Sequence, residues 1–489
     1  MATPLEPKRI GGLGVYGLVR PAAVDDSLIP DEAVTESINT HFDRRGVVTV
    51  RPGLTGLNST VASTVPCYGL HNAQSGTALA VFSTAIFSNN GSGWAVTLDG
   101  GTASVRVRFV DFGSYTIALN YNYNTYTSMR FWNAGSSRHW HYTGRPINPH
   151  NMWGYAPQYG EVFKSRVYLF GDTSDQSNSS RLFFSSVISS TGIITWSPNV
   201  DYVDINPGDG EPGTGLKRYS LELLCLKPNY IYRFKTTGVD PDPLIKVGTR
   251  SNESVVEGAR GLYFHHDSGF YRYTGAYPEK ISAPIQDIVE AIPFSQFGTI
   301  EGWNDDNHIY WSVGDLSVSE SKETTTIKNA VLRYTESDDV WTVYSYASDV
   351  RAGIMYTRGT TRSRLVGLDN GVVATQNSGT TDLGEPIQFR VRTKWLEFGN
   401  IADTKHIEEL VAVCDKASDT TLMYQTDEND EWHTFKKYGG ALRKLINVFD
   451  RLDVEFNRIR FLVTGSSRFE APIFREIQIV KGQNLGIQN

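Results

Sequence analysis

From about residue 65 to 380 the chain repeats one texture: a short β-run, a Gly/Asn/Asp turn, another β-run. Examples are "TALAVFSTAIFSNNGSGWAVTL", "NYIYRFKTTG" and "GLYFHHDSGFYRYTG". The last sets Asp267-Ser268-Gly269 between two aromatic runs, a hairpin signal. "TESDDVWTVYS" repeats the device with Asp338-Asp339 at its turn. The recurrence is irregular but brackets the ~40–50 residues of a propeller blade with insertions. Blades set around an axis protect the strand edges of a long all-β chain. The expected fold class is therefore all-β: a β-propeller core, an N-terminal extended arm and a C-terminal β-sandwich-like domain.

At 489 residues the chain exceeds the ~250–300 that one core usually serves. Residues 1–60 are rich in Gly, Pro and Asp and hold no period; within them "VVTVRPG" predicts one short strand. Residues 61–384 are expected to form the propeller with insertions. Residues 385–489 carry longer alternating runs, such as "IQFRVRTKWLEFG" and "DRLDVEFNRIRFLVTGSS", and are expected to form the sandwich. The stretch Asp427 to Trp432 fits a hairpin turn. One segment, Ser282 to Pro293, has helical spacing, with Ile285, Ile288, Val289 and Ile292 on one face, Ser282 as cap and Pro293 as stop.

The formal net charge of −7 argues against a protein wrapped tightly around nucleic acid, whose phosphates need Lys and Arg. It is compatible with a wall past which DNA slides. Cys67, Cys225 and Cys414 are far apart and lack metal-ligand spacing, so they are expected to be buried apolar side chains of a protein made in a reducing cytoplasm. No secretory leader is expected from "MATPLEPKRI". No apolar run approaches the ~18 residues of a membrane helix, so no membrane insertion is expected.

Several motifs dissolve on inspection. "GLGVYG", Gly12 to Gly17, matches G-x-G-x-x-G but lacks the preceding strand and following helix of a dinucleotide site. "HWHY", His139 to Tyr142, would put two histidines on one strand face, and His265-His266 on opposite faces; neither has a third ligand nearby. "SSTGIITWSP" and "TDENDEW" approach the Asp-box of sialidase propellers, but those residues stabilise hairpins and imply no glycosidase chemistry. "GDTSDQSNSS" and "NPGDGEPGTG" offer oxygens for calcium without EF-hand spacing, and are read as polar loops. No catalytic, cofactor-binding or metal-ligating residue is expected, and the chain is not expected to be an enzyme.

The order of three stretches carries more weight: "FDRRGVVTVRPGL" (Phe42 to Leu54), "GLKRYSLELLCLKPNYIYRF" (Gly215 to Phe234) and "RIRFLV" with "IFREIQIV" (Arg458 to Val463, Ile473 to Val480). In that order they resemble the tail nozzle proteins, or packaged-DNA stabilisation proteins, of short-tailed bacteriophages. The resemblance implies a virion structural protein assembled in the host cytoplasm and located in the tail. It implies a ring, a hexamer, below portal and adaptor, which continues the DNA channel, retains packaged DNA until ejection, and docks tail spike, fibre or needle proteins. Double-stranded DNA would pass without sequence-specific binding, and no cofactor is implied. The alternative is a carbohydrate-binding or carbohydrate-degrading propeller, such as a receptor-binding tail protein. Ring interfaces favour Tyr, Trp and Arg anchors. That makes Arg130, Trp132, His139, Trp140, Arg145 and Trp153, in the aromatic stretch Met129 to Tyr155, candidate assembly contacts. Arg44, Arg45 and Arg51 are further candidates, on a strand expected to lead the arm into the first blade and to pair with acids of the subunit or a neighbour.

Overall fold

The computed structural model describes all residues except 1–2, 6–7, 45, 58–60, 62–64, 84, 90, 92, 99–105, 114, 122–128, 134–139, 142–151, 153, 189–193, 236–237, 240–244, 321–322, 416–418, 439–445, 448–449, 468–472 and 487–489. Seven four-stranded antiparallel arrays form a β-propeller. Their innermost strands are Cys67–Asn72, Arg108–Phe112, Pro157–Phe163, Gly215–Tyr219, Val256–Glu257, Glu301–Asn304 and Val350–Arg358, and we number the blades 1 to 7 in that order. Blades 1 to 6 are consecutive in sequence. Blade 7 is composite: Val350–Arg358, Thr361–Leu368 and Val373–Gln376 receive their fourth strand, Leu54–Gly56, from the other end of the chain.

Side-chain alternation explains how the circle holds. A strand sends successive residues to opposite faces, and each blade face meets a different neighbour. In Glu222–Leu226 of blade 4, Leu223 and Cys225 join Phe163, Tyr168 and Phe170 of blade 3, whereas Leu224 and Leu226 join Leu262, Phe264 and Tyr273 of blade 5. The same device fills all seven gaps between blades. The last gap closes where Cys67, Leu70 and Ala80 of blade 1 meet Ala352, Leu365 and Val373 of blade 7. Cysteines 67, 225 and 414 are buried and unbridged, as expected from the sequence. The hairpins turn where expected, between Leu262–His266 and Gly269–Tyr273, between Glu323–Thr335 and Val340–Ser345, and between Thr420–Thr426 and Asn429–Tyr438.

The helical segment is shorter than its sequence suggests: a 3-10 turn Ala283–Ile285 and one α-helix Gln286–Glu290. Its predicted apolar face is buried against blades 5 and 6. Ser282 does not cap it; the Ser282 hydroxyl accepts from the Phe270 amide instead (3.0 Å).

The arm departs most from expectation. It is a series of short strands that pair with partners far along the chain. Thr3–Pro4, Lys8–Gly11, Thr40–Arg44 and Val47–Val50 join a sheet with the C-terminal strands Thr404–Asp415 and Ile473–Gly486. Val47–Val50 therefore does not lead into the first blade. It pairs through Val48 and Thr49 with Phe474 and Ile473. The opposing sheet contains Glu385–Thr393, Thr420–Thr426 and Arg458–Ser467, and Val34–Ile38 of the arm links it to the outer strand of blade 6. Between the sheets lies one core, with Val48, Val50, Phe389, Leu410, Phe461 and Ile477 among its members. The sandwich is thus built from both ends of the chain.

Arg51 fastens these parts together. Its side chain is 1% exposed, and its guanidinium donates to Asn39 Oδ1 (2.7 Å), both carboxylate oxygens of Asp382, and the Ser345 carbonyl (2.8 Å). It also lies 4.1 Å from the Tyr346 ring centroid. Asn39, at φ 58°, accepts from the Ser345 amide and donates to the Gln388 carbonyl. The next turn is equally tight: a Cβ on Gly53 would sit 1.9 Å from the Thr381 carbonyl oxygen. A second tie is ionic. The long hairpin His308–Glu320/Glu323–Thr335 of blade 6 carries Glu320 and Glu323 to Arg20 of the arm and to Arg392 and Arg460 of the sandwich.

Removing one member of a buried ion pair strands the other. Arg51→Met is therefore expected to lower unfolding free energy by about 3–5 kcal/mol in guanidinium titrations. Adding Asp382→Leu should recover most of the loss. Equal midpoints for wild type and the single variant would remove Arg51 from its central place.

Candidate functional site

A cavity of about 460 Å³ lies at one mouth of the propeller axis, where the innermost strands begin. Arg106 and Arg108 reach it from blade 2, Arg351 from blade 7, Glu301 from blade 6, and Glu253 from the short turn Asn252–Ser254 that precedes blade 5. Two ion pairs span the axis. Arg108 holds Glu253 through both carboxylate oxygens (2.5 and 2.9 Å), and its guanidinium covers the Tyr159 ring of blade 3 at 4.6 Å. Arg106 donates to Glu301 Oε1 (2.7 Å) and to the Arg351 carbonyl (2.7 Å). Blade 2 is thereby joined to blades 5, 6 and 7 through the middle of the ring. Among the described residues, these side chains pair across the mouth of the axis.

The two glutamates are driven apart. Burial pushes the Glu301 carboxyl up to about 7, with Arg106 opposing and the nearby Glu253 charge adding to the rise. Burial also works against ionisation of Glu253, but Arg108 overcomes it and holds that carboxyl down at about 2. Burial raises the Cys67 thiol at the cavity wall to about 11, so it is neutral near pH 7.

A second pocket of about 310 Å³ adjoins the first and shares Arg351 and Thr299 with it. Asp315, Asp349 and Asp369 line it, with Ser312, Asn329 and Gln296. Arg351 lies 3.2 Å from Asp349. Burial raises the Asp349 carboxyl despite that cation.

The sequence-predicted contacts do not lie at this site. Arg51 is internal, and its acid partner is Asp382 of the same chain. Arg130 is 1% and Trp132 4% exposed, so neither is presented at the subunit surface. Trp132 packs between blades 1 and 2. Arg44 and Trp140 have described backbones only: Arg44 pairs with Val47, and Trp140 with Trp132. Arg45, His139, Arg145 and Trp153 lie outside the described residues. His265 and His266 do face opposite ways: His265 is buried between Phe270 and Phe297, and burial lowers it to about 3. The suspected calcium loops use their carboxylates internally. Asp172 accepts from the Ala156 and Ser174 amides, and Asp209 pairs with Lys227. Sequence reasoning missed the axial residues because they lie at the beginnings of separate blades; "RVR" at 106–108 is the only local hint.

No protein-family model matches the chain, and no curated protein matches it. Among solved structures, it is similar to the extracellular domain described as belonging to a hybrid two-component system of B. thetaiotaomicron (TM-score 0.44, 8% identity, 87% of this chain and 60% of that one). It is also similar to PorZ of the Porphyromonas gingivalis type-IX secretion system (0.38, 11%, 78% and 46%) and to an exo-β-1,3-galactanase from Phanerochaete chrysosporium (0.26, 7%, 75% and 95%). The chain spans 60% of the length of the first of these structures and 46% of the second. Likeness at this level assigns neither activity nor partner.

The axial acids set a pH window. Glu301 has a folded pKa of about 7 against an ordinary 4.5, so its contribution favours folding below pH 4.5 and is lost as pH rises through 7. Glu253 has the opposite sign; its contribution is present above 4.5 and lost as pH falls toward 2. Glu301→Gln is expected to remove an alkaline loss of about 3 kcal/mol between pH 5 and 8, read from denaturation midpoints. An unchanged slope would contradict the assignment.

Proposed function

We propose that this chain is a structural subunit of a short-tailed bacteriophage tail, of the nozzle or head-completion type. It acts as one member of a closed ring, a hexamer, below portal and adaptor. One observation carries the reading: the stretches responsible for the resemblance become structural joints. Val48 and Thr49 of the first pair with Phe474 and Ile473 of the last, and Arg51 clamps both to blades 6 and 7. Gly215 to Phe234 supplies three strands of blade 4. Such joints suit a part that transmits load between neighbours rather than one that opens around a substrate.

With charged pairs across the axial mouth of each subunit, the DNA path in this reading would run between copies, along the wall that six subunits would form together. Heterologous contacts that close by rotation build such a ring. Spike, fibre or needle proteins would dock on its distal face, and DNA would pass without sequence-specific contacts.

The test is electron microscopy of the purified chain, alone and mixed with its cognate adaptor and portal. Closed rings are expected with the adaptor, and Arg44→Ala/Arg45→Ala should reduce their number. A chain that stays monomeric with these partners, and that releases reducing ends from host polysaccharide, would replace this reading with a carbohydrate-active propeller.

A further inference from the structure

We propose that the axial mouth is a binding site for a sugar acid: a pyranose carrying one carboxylate, which Arg351 and Arg106 receive, with hydroxyls in the adjoining acidic pocket. The inference is independent of the tail assignment.

The size is appropriate. Ligand pockets span about 300–1,000 Å³, and the two cavities, which share Arg351 and Thr299, measure about 460 and 310 Å³. The charge fits one carboxylate. Three guanidiniums face two carboxylates in the axial cavity, a net +1 when all are ionised. The cations are also the more accessible partners: the Arg351 side chain is 44% exposed and that of Arg106 21%, against 6% for Glu301 and 10% for Glu253. The carboxylates are thus the more enclosed members of these pairs.

Each cavity also holds a buried polar atom without a protein partner, and the two are of opposite kind. In the axial cavity it is Arg106 Nε, a donor. In the adjoining pocket it is Gln296 Oε1, an acceptor. Buried polar groups are rarely left unsatisfied. Turned toward its cavity, the first would be answered by a carboxylate oxygen and the second by a hydroxyl. Asp315, Asp349, Asp369 and Asn329 supply further acceptors for hydroxyls. The same acids disfavour a second negative charge, which separates a sugar carboxylate from a phosphate dianion.

Protonation of Glu301 raises the cavity to a net +2 and releases Arg106. Glu301 is faced by Arg106 and Arg108 from blade 2, by Glu253, by the Gly353 amide and by the neutral Cys67 thiol. Affinity for the anion therefore rises as pH falls. The site binds without cleaving: both oxygens of Glu253 are occupied by Arg108.

The test is titration calorimetry of the intact chain with D-glucuronate, D-glucose and inorganic phosphate at pH 6 and 8. Glucuronate is expected to bind at least about tenfold more tightly than glucose or phosphate, in line with the net worth of a charge-assisted hydrogen bond. Its affinity should be higher at pH 6 than at pH 8. Arg351→Ala should cost about tenfold, at an unchanged melting temperature. Glu301→Gln should bind equally at both pH values. Gln296→Leu should weaken glucuronate and leave phosphate unchanged. Absence of glucuronate binding at millimolar concentration would overturn the proposal. So would equal affinity for glucose or phosphate, or indifference to Arg351→Ala.

Discussion

The Arg51–Asp382 pair decides whether this propeller closes. The residues are 331 positions apart, and closing so long a loop costs on the order of 5 kcal/mol in chain entropy. Blade 7 cannot be completed until the arm arrives, because its outer strand is Leu54–Gly56. Arg51 stands three residues before that strand and aims it. Five guanidinium donors in a fixed fork suit a junction where several partners converge. Here the partners are a side-chain amide of the arm, a carbonyl of blade 6 and a carboxylate beyond blade 7. A hydrophobic residue of similar volume would fill the space but would not specify which three segments meet.

A second constraint follows from that closure. Seven blades meet around an axis, and the gaps between them are apolar, but the mouth of the axis is charged. Charges there are tolerated because they cross the axis in pairs. The pairing is unequal. Glu253 receives a bidentate guanidinium, whereas Glu301 shares Arg106 with the Arg351 carbonyl. One carboxylate is locked ionised and the other is left near neutrality. Such separation of neighbouring acids recurs at functional sites, and structural ion-pair networks produce it as well.

Much of the propeller was legible because its code is local. Hairpins such as Leu262–His266/Gly269–Tyr273 announce themselves through alternation and a turn, and the helical face of Ile285, Ile288 and Val289 is read from spacing alone. The arm was not legible. Its strands are two to five residues long, and the partners of most lie hundreds of residues away, so no local pattern marks them. Val47–Val50 is covered on both faces: Val48 and Val50 share the sandwich core, and Val47, outside that core, is buried too. The buried Arg130 shows the same limit. An arginine in an aromatic loop resembles an interface anchor until the fold shows it enclosed.

The paired charges at the axial mouth also reshape the meaning of the net charge of −7. In the proposed ring of copies the relevant charges would be those on whichever outer face lines the common channel. The internal pairing narrows the candidates. Arg20, Arg51, Arg106, Arg108, Arg392 and Arg460 are held against acids within the chain and are mostly buried. These paired cations are therefore withdrawn from the wall of the proposed channel, where free Lys and Arg would bind phosphates.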